Sequence, residues 1–320
     1  MGSQVVALGG GHGLARALAA LRSRGLAPTA VVTVADDGGS SGRLRRDLGI
    51  IAPGDLRMAL LALSRRRDLA EILSHRFDAG ELDGHALGNL FLVALAREEG
   101  DFVAALDRAA ALLDCAGRVL PSTTAQVTLH AQVAGVEVAG QRRITKADGR
   151  IEGLRLDPSD APACPEAVAA IEAADVVVLG PGSLYTSVMA NLLVPGIHQA
   201  LAASNAAVVY VANLRTQPGE TGELDAADHV RAVVQALPGT TLDAVVLHDG
   251  PVATAGGGRP LGTDLGPVAE HVGHVERADL AERDERGDPK AAHDVERLGA
   301  VLEGLLGRLP LSGVRSPTSP

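Results

Sequence analysis

The sequence predicts an α/β protein built on a parallel sheet with helices on both faces. Three observations carry that expectation. Short runs of β-branched and aliphatic residues recur along the chain, each closes on a glycine-rich or polar loop, and each is followed by apolar residues at helical spacing. A strand buried on both faces reads as a continuous apolar run, whereas a half-exposed strand alternates.

Gln4–Leu8 is the first such run, closed by Gly9-Gly10-Gly11-His12-Gly13, with Leu14, Leu18 and Leu21 marking the helix behind it. Ala30–Ala35 is the second, closed by Asp36-Asp37-Gly38-Gly39-Ser40-Ser41-Gly42. Pro53-Gly54-Asp55 then precedes the helical run Leu56–Leu63, where Asp55 reads as an N-cap accepting a bond from an unpaired helix N–H. A further helix follows Gly88-Asn89.

Between about residues 125 and 157 the pattern alternates through Val127, Leu129, Ala131 and Val133, turns at Ala134-Gly135, and resumes at Val136 and Val138. This predicts an antiparallel hairpin insert, continued by Ile144 and Ile151. The parallel pattern returns with Asp175–Leu179 before Gly180-Pro181-Gly182-Ser183, Ala207–Ala212 before Asn213, and Ala244–Leu247 before His248-Asp249-Gly250, so at least five strands are expected. Residues 250–290 show only weak periodicity and no regular structure is assigned there, while His293–Leu309 is helical again. Residues 311–320 read as a frayed tail, leaving one domain over 1–310.

Composition narrows the function. A net charge of −10 argues against a nucleic-acid binder, whose backbone contacts need a positive face. No apolar stretch approaches the ~20 residues that cross a bilayer, and Met1 leads into Val5–Leu8 without a basic leader, so the chain is expected to stay inside the cell, away from membranes. Cys115 and Cys164 have neither a partner nor a metal-ligand spacing and read as small buried residues. No serine-hydrolase elbow and no zinc motif is present.

The loops at strand ends hold the candidate chemistry. Gly10, Gly11, His12 and Gly13 sit between a strand and a helix, where backbone N–H groups and the helix dipole hold a phosphate. Leu14 occupies the third glycine position of the dinucleotide fingerprint, and no P-loop lysine exists, so neither common nucleotide motif applies and a nicotinamide-dependent dehydrogenase is disfavoured. Asp36 and Asp37 suit either a ribose hydroxyl or a hydrated Mg²⁺, with Asp55 as a third carboxylate. Ser40 and Ser41 lie in the same loop. Gly182 and Ser183 form a second phosphate cradle before a helix, and Asn213, Thr216 and Gln217 lie in a polar loop at a strand end. Asn89, His85 and His12 are the remaining polar residues near these loops.

Taken in order, GGGHGL at Gly9, VADDGGSSGRLR at Val34, PGDLR at Pro53, GHALGNL at Gly84, VLPST at Val119, GPGSLYTS at Gly180 and NLRTQPGET at Asn213 resemble the YvcK family of gluconeogenesis factors, related to the CofD phospholactate transferases. The resemblance spans about Val5 to Val230. It implies a Rossmann-like, three-layer α/β sandwich that binds a UDP-sugar and regulates cell shape, cell-wall synthesis and growth on gluconeogenic carbon sources, without catalysis. On that reading Gly10–Gly13 and Gly182-Ser183 hold the diphosphate, while the Asp36 region and the Asn213–Thr221 loop contact ribose, base or sugar. The related transferases imply the alternative, a Mg²⁺-dependent phospholactyl transferase with Asp55 and Asp37 catalytic and Asp36, Asp37 and Asp55 on the metal.

Arg57 stands where those enzymes carry a second acidic residue, which favours binding over catalysis. The C-terminal third departs further, with His248-Asp249, Gly256–Gly258 and Ala292-His293-Asp294 in place of the family's usual residues. A homodimer is allowed, and no protein partner is legible.

Overall fold

The computed structural model describes residues 3–147, 149–237, 242–253 and 257–309. The expected tail, and Gly256 of the glycine run, lie outside the described residues.

Strand β1 (Val5–Gly9) leads into helix α1 (Gly11–Ser23), which returns to β2 (Thr29–Val32). Helices α2 (Gly39–Leu48), α3 (Pro53–Leu63), α4 (Arg67–Ser74), α5 (Leu87–Glu99) and α6 (Phe102–Leu112) follow before β3 (Arg118–Pro121). The insert comprises β4 (Thr128–Val133), β5 (Val136–Ala139), the short α7 (Gln141–Ile144) and β6 (Ile151–Asp157). Helix α8 (Pro165–Glu172) leads to β7 (Val176–Leu179), a π-helical turn over Leu184–Met189, α9 (Ala190–Leu192) and α10 (Pro195–Ala203). The chain continues through β8 (Ala207–Val211), α11 (Ala226–Gln235), β9 (Leu242–His248), β10 (Val272–Ala278), β11 (Ala281–Arg283), β12 (Pro289–His293) and α12 (Val295–Leu306).

Seven strands form one sheet in the order β10-β9-β8-β7-β1-β2-β3, and every pair in it is parallel. This is the Rossmann-like α/β architecture expected. Its central strands are buried along their whole length, with Val5–Gly9, Val176–Leu179 and Ala207–Val211 all inaccessible, because helices cover both faces. Leu14, Ala17, Leu18 and Leu21 put one face of α1 into the core.

The antiparallel insert is also observed, in the order β5-β4-β6, and alternates as its sequence does: Leu129, Ala131 and Val133 are buried while Thr128, His130 and Gln132 are more exposed. Its buried residues join the same apolar core as the sheet.

Four local expectations change. Ile144 ends the short α7 instead of a strand, although it is buried like the strand residues around it. Asp55 lies within the first turn of α3, whose N-cap is Ala52, and its side chain caps nothing in that helix. The stretch 250–290 contains β10, β11 and part of β12; β10 is an edge strand whose polar, partly exposed residues hide its periodicity. Strand β3, at the opposite edge, has only Val119 and Leu120 between Arg118 and Pro121, too little for an apolar run to mark it.

Candidate functional site

In the sheet order, the chain runs outward from β1 through β2 to β3, then restarts at β7 on the other side of β1 and runs outward again. The loops after β1 and β7 therefore diverge, and such a switch point opens the crevice where α/β sheets bind ligands. Here that crevice is a cavity of about 630 Å³.

Gly10, Gly11, His12, Gly13, Asp36, Asp55, Gly182, Ser183, Asn213 and Gln217 all line it, from five separate stretches of sequence. The two glycine loops touch there: a Cβ on Gly13 would stand 2.3 Å from the carbonyl oxygen of Pro181. Helix α1 starts at Gly11 with extended Gly10 as N-cap, no side-chain cap and no acidic residue in its first turn. Helix N-termini leave N–H groups without intrahelical partners, so this end offers an anion both donors and the dipole. The Gly11 N–H bonds Asp55; His12 and Gly13 follow it along the cavity wall.

The second turn is different. The Gly182 N–H donates to Asn213 Oδ1 at 3.2 Å, and the Tyr185 and Thr186 N–H groups both donate to Glu220 Oε1 at 2.9 Å. Gln217 Nε2 donates to Ser183 Oγ at 3.0 Å, and Asn213 Nδ2 to Gln217 Oε1 at 3.3 Å. Burial pushes the Glu220 carboxyl up, while the bonds from Thr186, Tyr185 and Ser183 oppose that rise. An internal carboxylate thus takes the Tyr185 and Thr186 N–H groups of this turn, and Gly182 walls the cavity with its N–H already given to Asn213.

Asp55 is buried, and its carboxyl is pushed up to about 7, first by desolvation and then by the charge of Asp36, against the Gly11 N–H and Arg57. Asp36 accepts from the Gly38 N–H at 2.8 Å, leaving its other oxygen 3.2 Å from where a Gly54 side chain would begin. These two carboxylates face one cavity and suit a Mg²⁺ ion, which takes one or two carboxylates plus phosphate and water.

Asp37 does not join them. Its Oδ1 accepts from the Arg142 N–H at 2.9 Å, which ties it to the insert, and among the described residues no group of three acidic, His or Cys side chains is placed to hold a metal. Ser40 and Asn89 also stand apart, in a buried cluster where Ser40 Oγ meets His85 Nδ1 at 3.1 Å and Asn89 Nδ2 at 3.0 Å. Ser41 is buried against Gly54. Thr216 is consumed structurally: its N–H donates to the Arg259 carbonyl and its Oγ1 accepts from the Arg259 N–H.

The cavity is also lined by Arg16, Met58, Gln141 and His293, which no motif assigned to a ligand, and by Arg215 of the Asn213–Thr221 loop. Arg215 lies inside the NLRT string and was findable there. Gln141 and His293 come from the insert and from β12, which no local pattern ties to β1. A larger cavity of about 830 Å³ lies between β6, α10 and α11, lined by Leu154, Met189 and Leu193 among others. The smaller one is preferred as the ligand site because the α1 N-terminus and two carboxylates converge on it.

The family model described as 2-phospho-L-lactate transferase CofD matches residues 5–269. The chain belongs to the CofD family. A crystal structure of a UPF0052-family member from Bacillus halodurans superposes with a TM-score of 0.87 at 37% identity, covering 95% of this chain and 99% of that one. A CofD-family relative from Mycobacterium tuberculosis, provisionally named a gluconeogenesis factor, is 43% identical over 95% of this chain and 90% of its own. A similarly named Nostoc relative is 45% identical over 77% of this chain but only 55% of its own length, so the chain matches about half of that protein. Among the described residues of this CofD-family chain, no helix is long and apolar enough to cross a membrane.

Proposed function

We propose that this chain is a gluconeogenesis factor that binds a nucleotide sugar and acts as a regulator inside the cell. The observation that carries this reading is the N-terminus of α1, whose N-cap Gly10 has no side chain and whose His12 and Gly13 line the switch-point cavity beyond the Gly11 N–H that meets Asp55. A diphosphate seated there accepts from the first-turn N–H groups. The Asn213–Gln217 loop and Arg215 then lie within the same cavity to contact ribose, base or sugar. The name borne by the relatives, and the order of the family motifs, support a role in carbon-source use; cell shape and cell-wall synthesis come from the family resemblance. Residues 1–310 are taken as the functional unit.

Calorimetric titration with UDP-glucose and UDP-N-acetylglucosamine tests the reading. Saturable binding, weakened at least tenfold by Gly10→Asp, is expected; no heat and no thermal shift at millimolar ligand overturns it.

A second reading, a Mg²⁺-dependent phospholactyl transferase, is favoured by the match to the transferase family and by the facing pair Asp36 and Asp55. Those two residues would hold the ion, which when bound offsets phosphate charge and polarises the transferred group. Asp37, which accepts from the Arg142 N–H, is assigned to the insert in this reading. Turnover of a nucleotide-activated phospholactate that Asp55→Asn abolishes would establish this reading in place of the first.

A further inference from the structure

Beside the switch-point cavity, a second opening of about 520 Å³ is lined by His12, Arg16, Arg57, Met58, Ser74 and Arg76, with small and apolar residues completing it. His12, Arg16 and Met58 line both openings, so the two are contiguous. In a protein of net charge −10 this wall carries three guanidinium groups and no carboxylate.

Of the three, Arg16 is matched by Glu282 at 2.6 Å. Arg57 has the Asp55 charge near it, but its Nε is buried without a hydrogen-bond partner among the described residues. Its stem is nonetheless held in place. A Cβ on Gly88 would stand 2.7 Å from Arg57 Cδ, so α5 admits this side chain only because residue 88 is glycine. Arg76 is fixed by its backbone bridge to Ala86 and by donation from its Nη1 to the Gly84 carbonyl at 2.5 Å.

Arg57 and Arg76 share one wall of this opening, and the buried, unpartnered Arg57 Nε leaves a donor that an anion seated between the two guanidinium groups would engage.

We infer that Arg57 and Arg76 form an oxyanion subsite, which takes a carboxylate or phosphate at the far end of the ligand whose diphosphate occupies the α1 N-terminus. The inference rests on the diphosphate reading for its first half only. A planar guanidinium suits a carboxylate or phosphate through paired N–H donors, and a neutral sugar hydroxyl would leave both charges uncompensated.

The test compares UDP-glucuronate with UDP-glucose, which differ by a carboxylate at the sugar C6, by calorimetry on the full chain. Inorganic phosphate is titrated separately by thermal shift. The wild-type protein is expected to favour UDP-glucuronate about tenfold, as one charge-assisted contact supplies. Arg57→Met, which keeps the stem against Gly88, and Arg76→Met at an exposed position, should each bring that ratio toward one. If neither nucleotide sugar binds, the diphosphate reading fails, while a phosphate-induced rise in Tm that Arg57→Met removes would still establish the subsite for a separate anion. Equal affinities for the two sugars, together with a phosphate effect indifferent to Arg57, overturn the inference.

Discussion

The carboxylate of Asp55 stands where a side chain at Gly10 would begin: a Cβ on Gly10 would lie 2.6 Å from Asp55 Oδ2 and 2.8 Å from Thr33 Cγ2. Gly10 is thus required by what α3 brings against it. The adjacent Gly11 has a left-handed φ of +62° but open space around it, so the two glycines answer to different constraints. Gly10→Ala is expected to destabilise by ~2–3 kcal/mol through overpacking, and Gly11→Ala by ~1 kcal/mol through backbone strain alone. Urea unfolding of both variants checks the order, and equal losses would contradict it.

Asp55 makes stability fall as pH rises. Its folded pKa of about 7 lies above the unfolded carboxylate value, so between the two the folded state holds a proton that the unfolded state has released. The favourable contribution is complete below about pH 4 and is lost as pH rises through about 7. Asp55→Asn should remove that slope and raise stability at pH 8 by on the order of 1–3 kcal/mol, while weakening any Mg²⁺-dependent nucleotide binding. Chemical unfolding at a series of pH values reads it out.

Glu220 acts as a resident anion for the turn after β7. Glu220→Ala strands the Tyr185 and Thr186 N–H groups in a buried place and should cost ~2–3 kcal/mol. Added phosphate should restore part of the lost Tm in this variant by occupying the vacated donors, and leave Glu220→Gln less affected.

Asp37 separates anchoring from metal binding. Asp37→Asn should loosen the insert, seen as faster amide exchange in residues 141–144, and leave nucleotide affinity within twofold of wild type. A tenfold loss of affinity would return Asp37 to the ligand site.

Much of the fold was legible in local pattern. Continuous apolar runs such as Val176–Leu179 announce strands buried on both faces, and alternation in 127–133 announces the half-exposed insert. The edge strand β10 was not legible, because it is only partly buried and carries His274, Glu276 and Arg277 along its length. At the site, Gly10–Gly13, Asp36 and Asp55 stood out because strand-end glycines and carboxylates are chemically conspicuous where they fall.

Taken by itself, the sequence determined that glycine-rich and polar loops end the strands of a parallel sheet, since helix, strand and turn preferences act over a few residues. The tertiary structure decided which donors remain open. Glu220, 37 residues beyond Ser183 in the chain, takes the Tyr185 and Thr186 N–H groups of the turn after β7, while at the α1 terminus Asp55 meets the Gly11 N–H and His12 and Gly13 line the cavity. The same packing turned Asp37 toward Arg142 and left Asp55 facing Asp36. Hydrogen-bond saturation and carboxylate charge depend on neighbours distant in sequence, which only the folded chain brings together.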